Sequence, residues 1–497
     1  MIMGNYTFNI STLWHNIIEQ LSYTPDQPLM FSSGLFWVLF LMFIPIYSMI
    51  KSRRTSMMVF VTLFSLFFFY KSSSWCFLLL VATSFIDWKT AQYIAASHDR
   101  RKRKLALWLS IVASVGLLVY FKYANFLIFN FSAIVGANFQ PLDIVLPIGI
   151  SFYTFRTISY VVDVYKGKIQ ATDSFLEYVF FLSFFPCLLA GPIVRASEFM
   201  PQLRDNKPAT RDMIYGGLWI VLIGVVKKAV IADYIAQYVN IAYGNPSGYS
   251  GVELLMAILG YSVQIYCDFS GYSDMAIGIA SIMGFDLGIN FDFPYRSRNV
   301  TEFWRRWHMS LSFWLRDYIY IGMGGNRKGK FRQYANLMTT MLVGGIWHGA
   351  AWNFIVWGFG HGAALCLHKW CMPVLKKVKD NWAVSFLSWL VTFTFVSLLW
   401  VFFRADSFET AWQVISGTLT RFDTAYFPVF ARVRFTWCAM MIIISVLHFV
   451  PKLIYSDLRK WFIESFWIFK FLIFVIVVQL VIQFAASDVQ PFIYAQF

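Results

Sequence analysis

Ten long apolar stretches, separated by short basic clusters, constrain this chain of 497 residues more than any other feature. One helical crossing of a membrane needs about 20 mostly apolar residues. Hydrophobic residues make up 58% of the chain and charged residues 13%, about half the charged share of soluble proteins. The sequence therefore predicts an all-α polytopic membrane protein with about ten or more transmembrane helices. The stretches lie near residues 30–50, 55–70, 75–95, 105–131, 142–162, 214–235, 252–283, 384–403, 435–450 and 466–486.

The basic residues predict how the chain is oriented in the membrane. They give a formal net charge of +15 and cluster in short loops such as 51–54 and 100–104. The positive-inside rule places such loops in the cytoplasm, which explains the charge without nucleic acid as a partner. We expect an extracytoplasmic N-terminal segment at 1–29, a single domain in the inner (cytoplasmic) membrane at 30–486, and an extracytoplasmic tail at 487–497.

Two apolar regions do not fit a single crossing. Prolines and glycines interrupt residues 175–194, and basic clusters flank both ends of residues 336–371. We therefore expect re-entrant segments, of which the second enters the membrane and returns to the same side. From Asn336 to His348 is about 18 Å of helix, so His348 would lie deep in the membrane. Broken helices at that depth are tolerated when buried in protein or when they line a wet cavity, which predicts a central tunnel.

Two histidines that each follow a tryptophan are the strongest candidates for chemistry. His348 lies in the segment Gly344 to Gly349, and His308 ends the segment Phe303 to His308. An ionisable side chain at membrane depth is costly, so it marks a functional site unless it only holds helices together. Imidazole takes up and returns a proton near neutral pH. The pattern predicts acid–base chemistry inside the bilayer.

A basic region at residues 291–332 predicts a binding site for the donor. It carries nine basic residues, and its tryptophans alternate with arginines. Arginine suits phosphate recognition, so a cytoplasmic mouth here fits coenzyme A or the acidic face of a carrier protein. Alternatively, these charges only enforce the topology. The candidate donor-binding residues are Trp304, Arg305, Arg306 and Arg316.

Four further polar residues are expected to support the structure or line the tunnel: Asp268, Asp274, Asp317 and His361. Asp268 and Asp274 lie in an apolar span, either as proton relays or ion ligands or, as we favour, as internal partners of arginines. His361 shares a helix face with His368 and either lines the cavity or packs between helices. The chain has no HxxxH, HExxH or CxxC spacing, so we expect no metal site.

The C-terminal residues 491–497 are mostly aromatic and apolar. Such a terminus is either a loose anchor or a segment that enters the outer mouth of the tunnel. In the second case Tyr494 would offer its hydroxyl near the histidines. That hydroxyl needs a nearby base, because its ordinary pKa is about 10.

Taken together, the motifs resemble the membrane-bound O-acyltransferase family, in its bacterial alginate O-acetyltransferase-like branch, to which the teichoic-acid D-alanylation membrane protein is related. The resemblance runs from about Phe31 to the C-terminus. It implies that His348 is the active-site histidine and that His308 is the second site position. The matching segments are Leu146 to Phe155, Ala190 to Ile193, Asp268 to Asp274, Glu302 to His308, Trp314 to Tyr318 and Gly344 to Gly349.

The resemblance also implies a reaction and its partners. An acetyl group would pass from a cytoplasmic thioester, acetyl-CoA or an acyl-carrier thioester, to an exported polysaccharide through an extracytoplasmic SGNH-type acetyltransferase. The tail is similar to a C-terminal relay motif in which a tyrosine carries the acyl group, although Ala495 replaces the usual aromatic residue. The alternative is D-alanyl or other acyl transfer to a cell-envelope polymer. A transporter or flippase for a lipid-linked sugar is less favoured.

Overall fold

The computed structural model describes residues 10–25 and 27–484, and all regular secondary structure within these ranges is helical. Short π-helical turns at Val119–Tyr123 and Val226–Ala232 join α5 to α6 and α10 to α11, and a third at Leu315–Tyr320 continues α14. The α-helices in chain order are α1 Ile10–Leu21, α2 Gly34–Ile50, α3 Arg54–Ser73, α4 Cys76–Ala96, α5 Arg100–Leu118, α6 Ala124–Val135, α7 Ile150–Tyr165, α8 Phe175–Ser183, α9 Ala196–Asp205, α10 Arg211–Val225 and α11 Asp233–Gly244. They continue with α12 Gly251–Ile282, α13 Val300–Arg306, α14 Met309–Trp314, α15 Lys330–His348, α16 Trp352–Leu375, α17 Trp382–Arg404, α18 Phe408–Thr420, α19 Tyr426–Val433, α20 Phe435–Phe449, α21 Lys452–Glu464 and α22 Trp467–Phe484.

The helices form two compact units. The first unit contains α1 to α5, α7 and α8. The second contains the turn at Val119–Tyr123, α6 and α9 to α22. Both histidines of interest, His308 and His348, therefore belong to the second unit.

Among the described residues, six helical segments are long and apolar enough to cross a membrane, judged by length and composition. A seventh crossing is possible if α19 and α20, which meet at an angle of 90°, act as one span. These helices confirm a multi-pass helical membrane protein. The six segments are Arg54–Ser73, Arg100–Val135, Arg211–Gly244, Gly251–Ile282, Trp382–Arg404 and Trp467–Phe484.

The apolar stretch near 142–162 forms a shorter helix than the sequence predicts. Helix α7 begins only at Ile150, because Gly149 adopts a left-handed conformation with φ of +88°. A Cβ atom at Gly149 would lie 2.6 Å from the carbonyl oxygen of Leu188, so only glycine fits there. The close approach ties the start of α7 to the end of the first unit.

The interrupted region 175–194 is packed inside the first unit up to Leu189. Helix α8 is followed by a 3₁₀ turn at Phe185–Cys187. The fully buried Arg156 donates to the carbonyl oxygens of Phe181 and, at 3.2 Å, of Cys187. These bonds satisfy carbonyl groups that the broken helix would otherwise leave unpaired. Its re-entrant path through a membrane remains a prediction.

Helices α10 and α12 form a close antiparallel pair in the second unit. A Cβ atom at Gly224 would lie 2.6 Å from the carbonyl oxygen of Gly271. A Cβ atom at Gly278 would lie 2.5 Å from that of Gly217. Small residues let helix backbones approach this closely. This close packing fixes the position of the 32-residue helix α12, and the site lies next to that helix.

Candidate active site

His348 is the last residue of α15, at the turn between two closely packed helices. The chain turns at residues 349–351 and returns as α16. A Cβ atom at Gly345 would lie 3.1 Å from the Cα of Gly358, and one at Gly358 would lie 2.6 Å from the carbonyl oxygen of Met341. This pattern of contacts makes α15 and α16 an antiparallel hairpin with His348 at its tip.

Two residues of the π-helical turn at Val119–Tyr123 hold the end of α15. Lys122 Nζ donates to the carbonyl oxygens of Trp347 at 2.9 Å and of His348 at 2.8 Å. The Tyr123 hydroxyl donates to the carbonyl oxygen of Ile346 at 2.6 Å. The last carbonyl groups of a helix have no partner within it, and a cation there also complements the helix dipole. The position of the His348 backbone is thus fixed from outside its own hairpin.

Sequence reasoning missed Lys122 and Tyr123. A lysine within an apolar span was the available signal, because a cation at that depth needs partners. Its partners lie 225 and 226 residues away, so the sequence could not name them.

The imidazole of His348 lies among aromatic rings. Its ring centroid is 4.9 Å from that of Trp357, 5.0 Å from that of Trp347 and 5.1 Å from that of Phe403. The residue is 3% exposed. A water-poor surrounding favours a neutral imidazole, which is the form that accepts a proton.

His308 has a strained backbone that Asn290 holds in place. Its φ of +40° lies in the left-handed region, which a residue with a side chain seldom adopts. Next to it, the N–H of Met309 donates to the backbone oxygen of Asn290 at 2.9 Å. The N–H and hydroxyl of Ser310 donate to Asn290 Oδ1 at 3.2 and 2.9 Å. These hydrogen bonds to Asn290 hold the strained backbone and thereby fix the direction in which His308 points.

Asn290 also fixes the tautomer of His308. Because a backbone N–H only donates, the Asn290 atom facing Ser310 must be the oxygen, and its Nδ2 donates to Ser273 Oγ at 3.0 Å. His308 Nδ1 lies 3.1 Å from that same Oδ1, so Nδ1 carries the proton. The neutral imidazole then has its basic lone pair on Nε2.

The structure brings His308 and His348 to the same tryptophan. The ring centroid of Trp347 lies 6.2 Å from that of His308 and 5.0 Å from that of His348. Phe269, on α12, also contacts His308, with 4.6 Å between the ring centroids. With two imidazoles in one aromatic interior, one can move a proton while the other holds a reacting group.

The residues predicted to bind the donor differ in how deeply they are buried. Trp304 is buried, and its indole N–H donates to His361 Nδ1 at 3.3 Å, so it belongs to the interior. Arg305 is exposed. Arg306 is half-buried and pairs with Glu302 at 2.8 Å. Neighbouring residues of a helix point in different directions. Tryptophans and arginines that alternate along the chain therefore reach different surroundings.

Arg316 is exposed and belongs to a small ion-pair network with Asp317 and Arg195. Arg316 Nε lies 2.6 Å and Arg195 Nη1 lies 2.7 Å from the carboxylate of Asp317. Burial raises the pKa of Asp317, but the hydrogen bonds from Arg316 and Arg195 outweigh it and hold that pKa below its ordinary value. Asp317 therefore remains a carboxylate near neutral pH and holds two arginines in position.

Asp268 and Asp274 pair with lysines rather than with the arginines that we favoured. Lys228 Nζ lies 2.6 Å from Asp268 and 2.7 Å from Asp233, while Lys227 Nζ lies 2.7 Å from Asp274. The physical reason is the glycine-mediated approach of α10 and α12, which brings the adjacent lysines within reach. Within residues 10–25 and 27–484, no group of three or more His, Cys, Asp or Glu side chains is arranged for a metal ion.

His361 lies one turn beyond Trp357 on α16, deep in the same aromatic interior. Its ring centroid is 4.8 Å from that of Trp357, which also contacts His348. His368 lies apart from these rings, where its Nδ1 is 2.8 Å from the Thr301 hydroxyl. Tyr494 lies outside the described residues.

Comparison with known proteins identifies the family of the chain. The family model described as MBOAT, membrane-bound O-acyltransferase family, matches residues 34–403. A peptidoglycan O-acetyltransferase of Helicobacter pylori is 40% identical over 365 residues, which cover 68% of this chain and 69% of the relative. A probable alginate O-acetylase AlgI of Pseudomonas aeruginosa is 39% identical over 393 residues, covering 78% and 74% respectively. A teichoic acid D-alanyltransferase of Bacillus subtilis is 29% identical over 282 residues, covering 54% and 71%.

The matched range includes His308, His348 and both helices of the hairpin, and it spans most of the chain. The chain is an acyltransferase that belongs to the membrane-bound O-acyltransferase family.

Proposed function

We propose that this protein moves an acetyl group from cytoplasmic acetyl-CoA across the inner membrane, for O-acetylation of an extracytoplasmic polysaccharide. The observation that carries the proposal is the meeting of His308 and His348 at the ring of Trp347. The relatives named as peptidoglycan O-acetyltransferase and probable alginate O-acetylase support acetyl as the group and a polysaccharide as the final acceptor.

His348 is the general base in the proposed reaction. It takes the proton from an acceptor hydroxyl as the oxygen of that hydroxyl bonds to the thioester carbon. The carbon–sulfur bond then breaks, and the thiolate leaves with the proton that His348 received. His308 orients the donor through Nε2. We propose Tyr494 as the acceptor that relays the acetyl group to an SGNH-type acetyltransferase outside.

The proposed path requires that the hairpin of α15 and α16 is re-entrant. Both of its outer ends carry basic residues, at 327–332 and 376–379, which favours a cytoplasmic location for both. With this hairpin at the centre, we propose ten or more membrane-crossing helices around a tunnel. Arg305 and Arg316, both exposed, would meet the phosphates of the donor at its cytoplasmic mouth.

The first experiment measures thiol release from acetyl-CoA by the full-length protein in proteoliposomes. His348→Ala should lower the rate by about 10²-fold or more, because it removes the general base. His15→Ala, at an exposed histidine of α1, is the matched control and should retain the wild-type rate. An unchanged rate in His348→Ala would disprove the proposed role.

The second experiment tests the relay. Mass spectrometry should find an acetyl group on Tyr494 in the wild-type protein after incubation with acetyl-CoA, and none on Tyr494→Phe. Normal acetylation of polysaccharide by cells that carry Tyr494→Phe would remove the relay role while leaving the role of His348 intact.

D-alanyl transfer is the second candidate, because a teichoic acid D-alanyltransferase is similar to this chain over 54% of the chain's length. The choice depends on the donor. Turnover of a D-alanyl carrier thioester, with none of acetyl-CoA, would favour the second candidate. A sugar transporter would consume neither thioester and would form no acyl-protein.

A further inference from the structure

The tautomer of the buried His361 is fixed by its neighbour Trp304. The indole N–H of Trp304 lies 3.3 Å from His361 Nδ1. An indole nitrogen only donates hydrogen bonds, so Nδ1 must be the acceptor. The neutral imidazole of His361 therefore carries its proton on Nε2, where it is a hydrogen-bond donor.

That donor has no acceptor among the residues that the structure describes. His361 Nε2 makes no hydrogen bond there, although the residue is fully buried. The indole nitrogen of Trp357, one helical turn earlier on α16, is also buried without a hydrogen bond. Buried polar groups nearly always have partners in native proteins, so two neighbouring donors without one need an explanation.

Trp357 lies next to the proposed base His348, and His361 lies next to Trp357. The ring centroid of Trp357 is 4.8 Å from that of His361 and 4.9 Å from that of His348. Phe303 stacks on His361 with an angle of 4° between the ring planes. The ring centroid of Trp400 lies 6.4 Å from that of His361. A ligand that meets two neutral donors in such an apolar surrounding should offer an uncharged oxygen. A carbonyl group fits this chemistry.

His308 is poorly suited to the same task. Asn290 holds the proton of the neutral His308 on Nδ1, so Nε2 presents a lone pair. A lone pair repels a carbonyl oxygen that gains negative charge, whereas an N–H stabilises it. The division between His308 as acceptor and His361 as donor follows from their different partners.

We propose that His361 Nε2–H, assisted by Trp357 Nε1–H, binds the carbonyl oxygen of the acyl thioester. This inference rests on the proposed acyl transfer. When the acceptor hydroxyl adds to the carbonyl carbon, the carbonyl oxygen takes up negative charge that the two N–H groups stabilise. The charge returns to form the C=O bond as the carbon–sulfur bond breaks. The thiolate leaves with the proton that His348 removed from the hydroxyl.

The kinetic test compares two variants that differ in the donor. His361→Phe keeps an aromatic ring but has no N–H, and His361→Gln restores an N–H donor at a similar reach. In proteoliposomes, His361→Phe should lower kcat by about 10²- to 10³-fold, the loss typical of one oxyanion donor. Its KM for acetyl-CoA should change much less, and His361→Gln should recover part of kcat. Equal losses in both variants, or a loss only in KM, would contradict the proposal.

A spectroscopic test separates the carbonyl contact from turnover. The probe is the ketone analogue of acetyl-CoA, in which a methylene group replaces sulfur and the carbonyl carbon is ¹³C. Its infrared carbonyl stretch should lie at lower frequency when bound to wild-type protein, His348→Ala or His15→Ala, and should rise in His361→Phe. The proposal would be overturned if the analogue did not bind to wild-type protein, or if His361→Phe left the carbonyl frequency unchanged. The two N–H groups would then bind only a water molecule. A third outcome would disprove the proposed function and leave the carbonyl contact standing. In that outcome the carbonyl frequency is still lowered in His348→Ala, but the wild-type protein turns over no acetyl-CoA.

Discussion

At the scale of single residues, Asn290 determines what His308 can do. It accepts hydrogen bonds from Ser310 and from His308 Nδ1, and it donates one to Ser273 on α12. The strained φ of His308 persists because these bonds over-determine the local geometry. One amide therefore sets both the direction and the proton position of the second histidine.

Replacing Asn290 should affect stability and turnover together. Asn290→Ala leaves the N–H groups of Ser310 and His308 without their acceptor, which costs about 1–3 kcal/mol for a buried donor. Asn290→Asp keeps the acceptor oxygen and should melt closer to the wild-type protein. Thermal unfolding in detergent and thiol release from acetyl-CoA measure the two effects. Equal melting temperatures for Asn290→Ala and wild-type protein would contradict the assignment.

At the scale of helices, the hairpin of α15 and α16 carries His348 at its tip, and its packing depends on glycine. A Cβ atom at Gly345 would collide with the backbone of Phe354 and approach the Cα of Gly358. A Cβ atom at the adjacent Gly344 would meet only a side-chain carbon of Leu315, at 3.2 Å. The two neighbouring glycines therefore make an informative pair.

Gly345→Ala should separate the two helices and displace His348. We expect a melting temperature several degrees below that of the wild-type protein, as for a loss of about 1–3 kcal/mol by overpacking, with strongly reduced thiol release. Gly344→Ala is the matched control, because a side chain can move aside at little cost. The interpretation is wrong if both variants behave alike.

Lys122 stabilises the same hairpin from the turn between α5 and α6. Lys122→Met removes two hydrogen bonds and leaves the carbonyl oxygens of Trp347 and His348 without their donor. We expect a loss of about 1–3 kcal/mol in stability and a fall in kcat larger than any change in KM. Lys102→Met, at an exposed lysine of α5, is the control. A wild-type kcat in Lys122→Met would show that the end of α15 needs no such support.

At the scale of the whole molecule, the proposed path begins at exposed arginines, which the proposal places on the cytoplasmic side. If Arg305 meets the phosphates of the donor, Arg305→Ala should raise KM for acetyl-CoA by about 2- to 5-fold, the size typical of an exposed charge pair. Added salt should raise the KM of the wild-type protein more than that of the variant, because it screens this contact. Lys460→Ala, at an exposed lysine of α21, is the control. A KM that is insensitive to both changes would place the donor elsewhere.

Much of the fold could be predicted from the sequence, because hydropathy is a property of each segment. The apolar runs coincide with helices, and the break before Gly349 was visible in the glycines and in the flanking charges. The run near 142–162 was predicted too long, since the contact of Gly149 with Leu188 is set by packing. Trp304 was predicted with its arginine neighbours, although the helix turns it towards His361.

The sequence by itself determined the class of the protein, the position of His348 in a broken apolar region, and the family resemblance. These follow from local composition and from motifs that need no partner. Only the tertiary structure decided which residues meet. Lys122 reaches the end of α15 across 226 residues, Trp304 reaches His361 across 57, and Lys228 rather than an arginine pairs with Asp268. The physical reason is that a hydrogen bond or an ion pair depends on which helices pack together, and the proton positions of His308 and His361 follow from those partners.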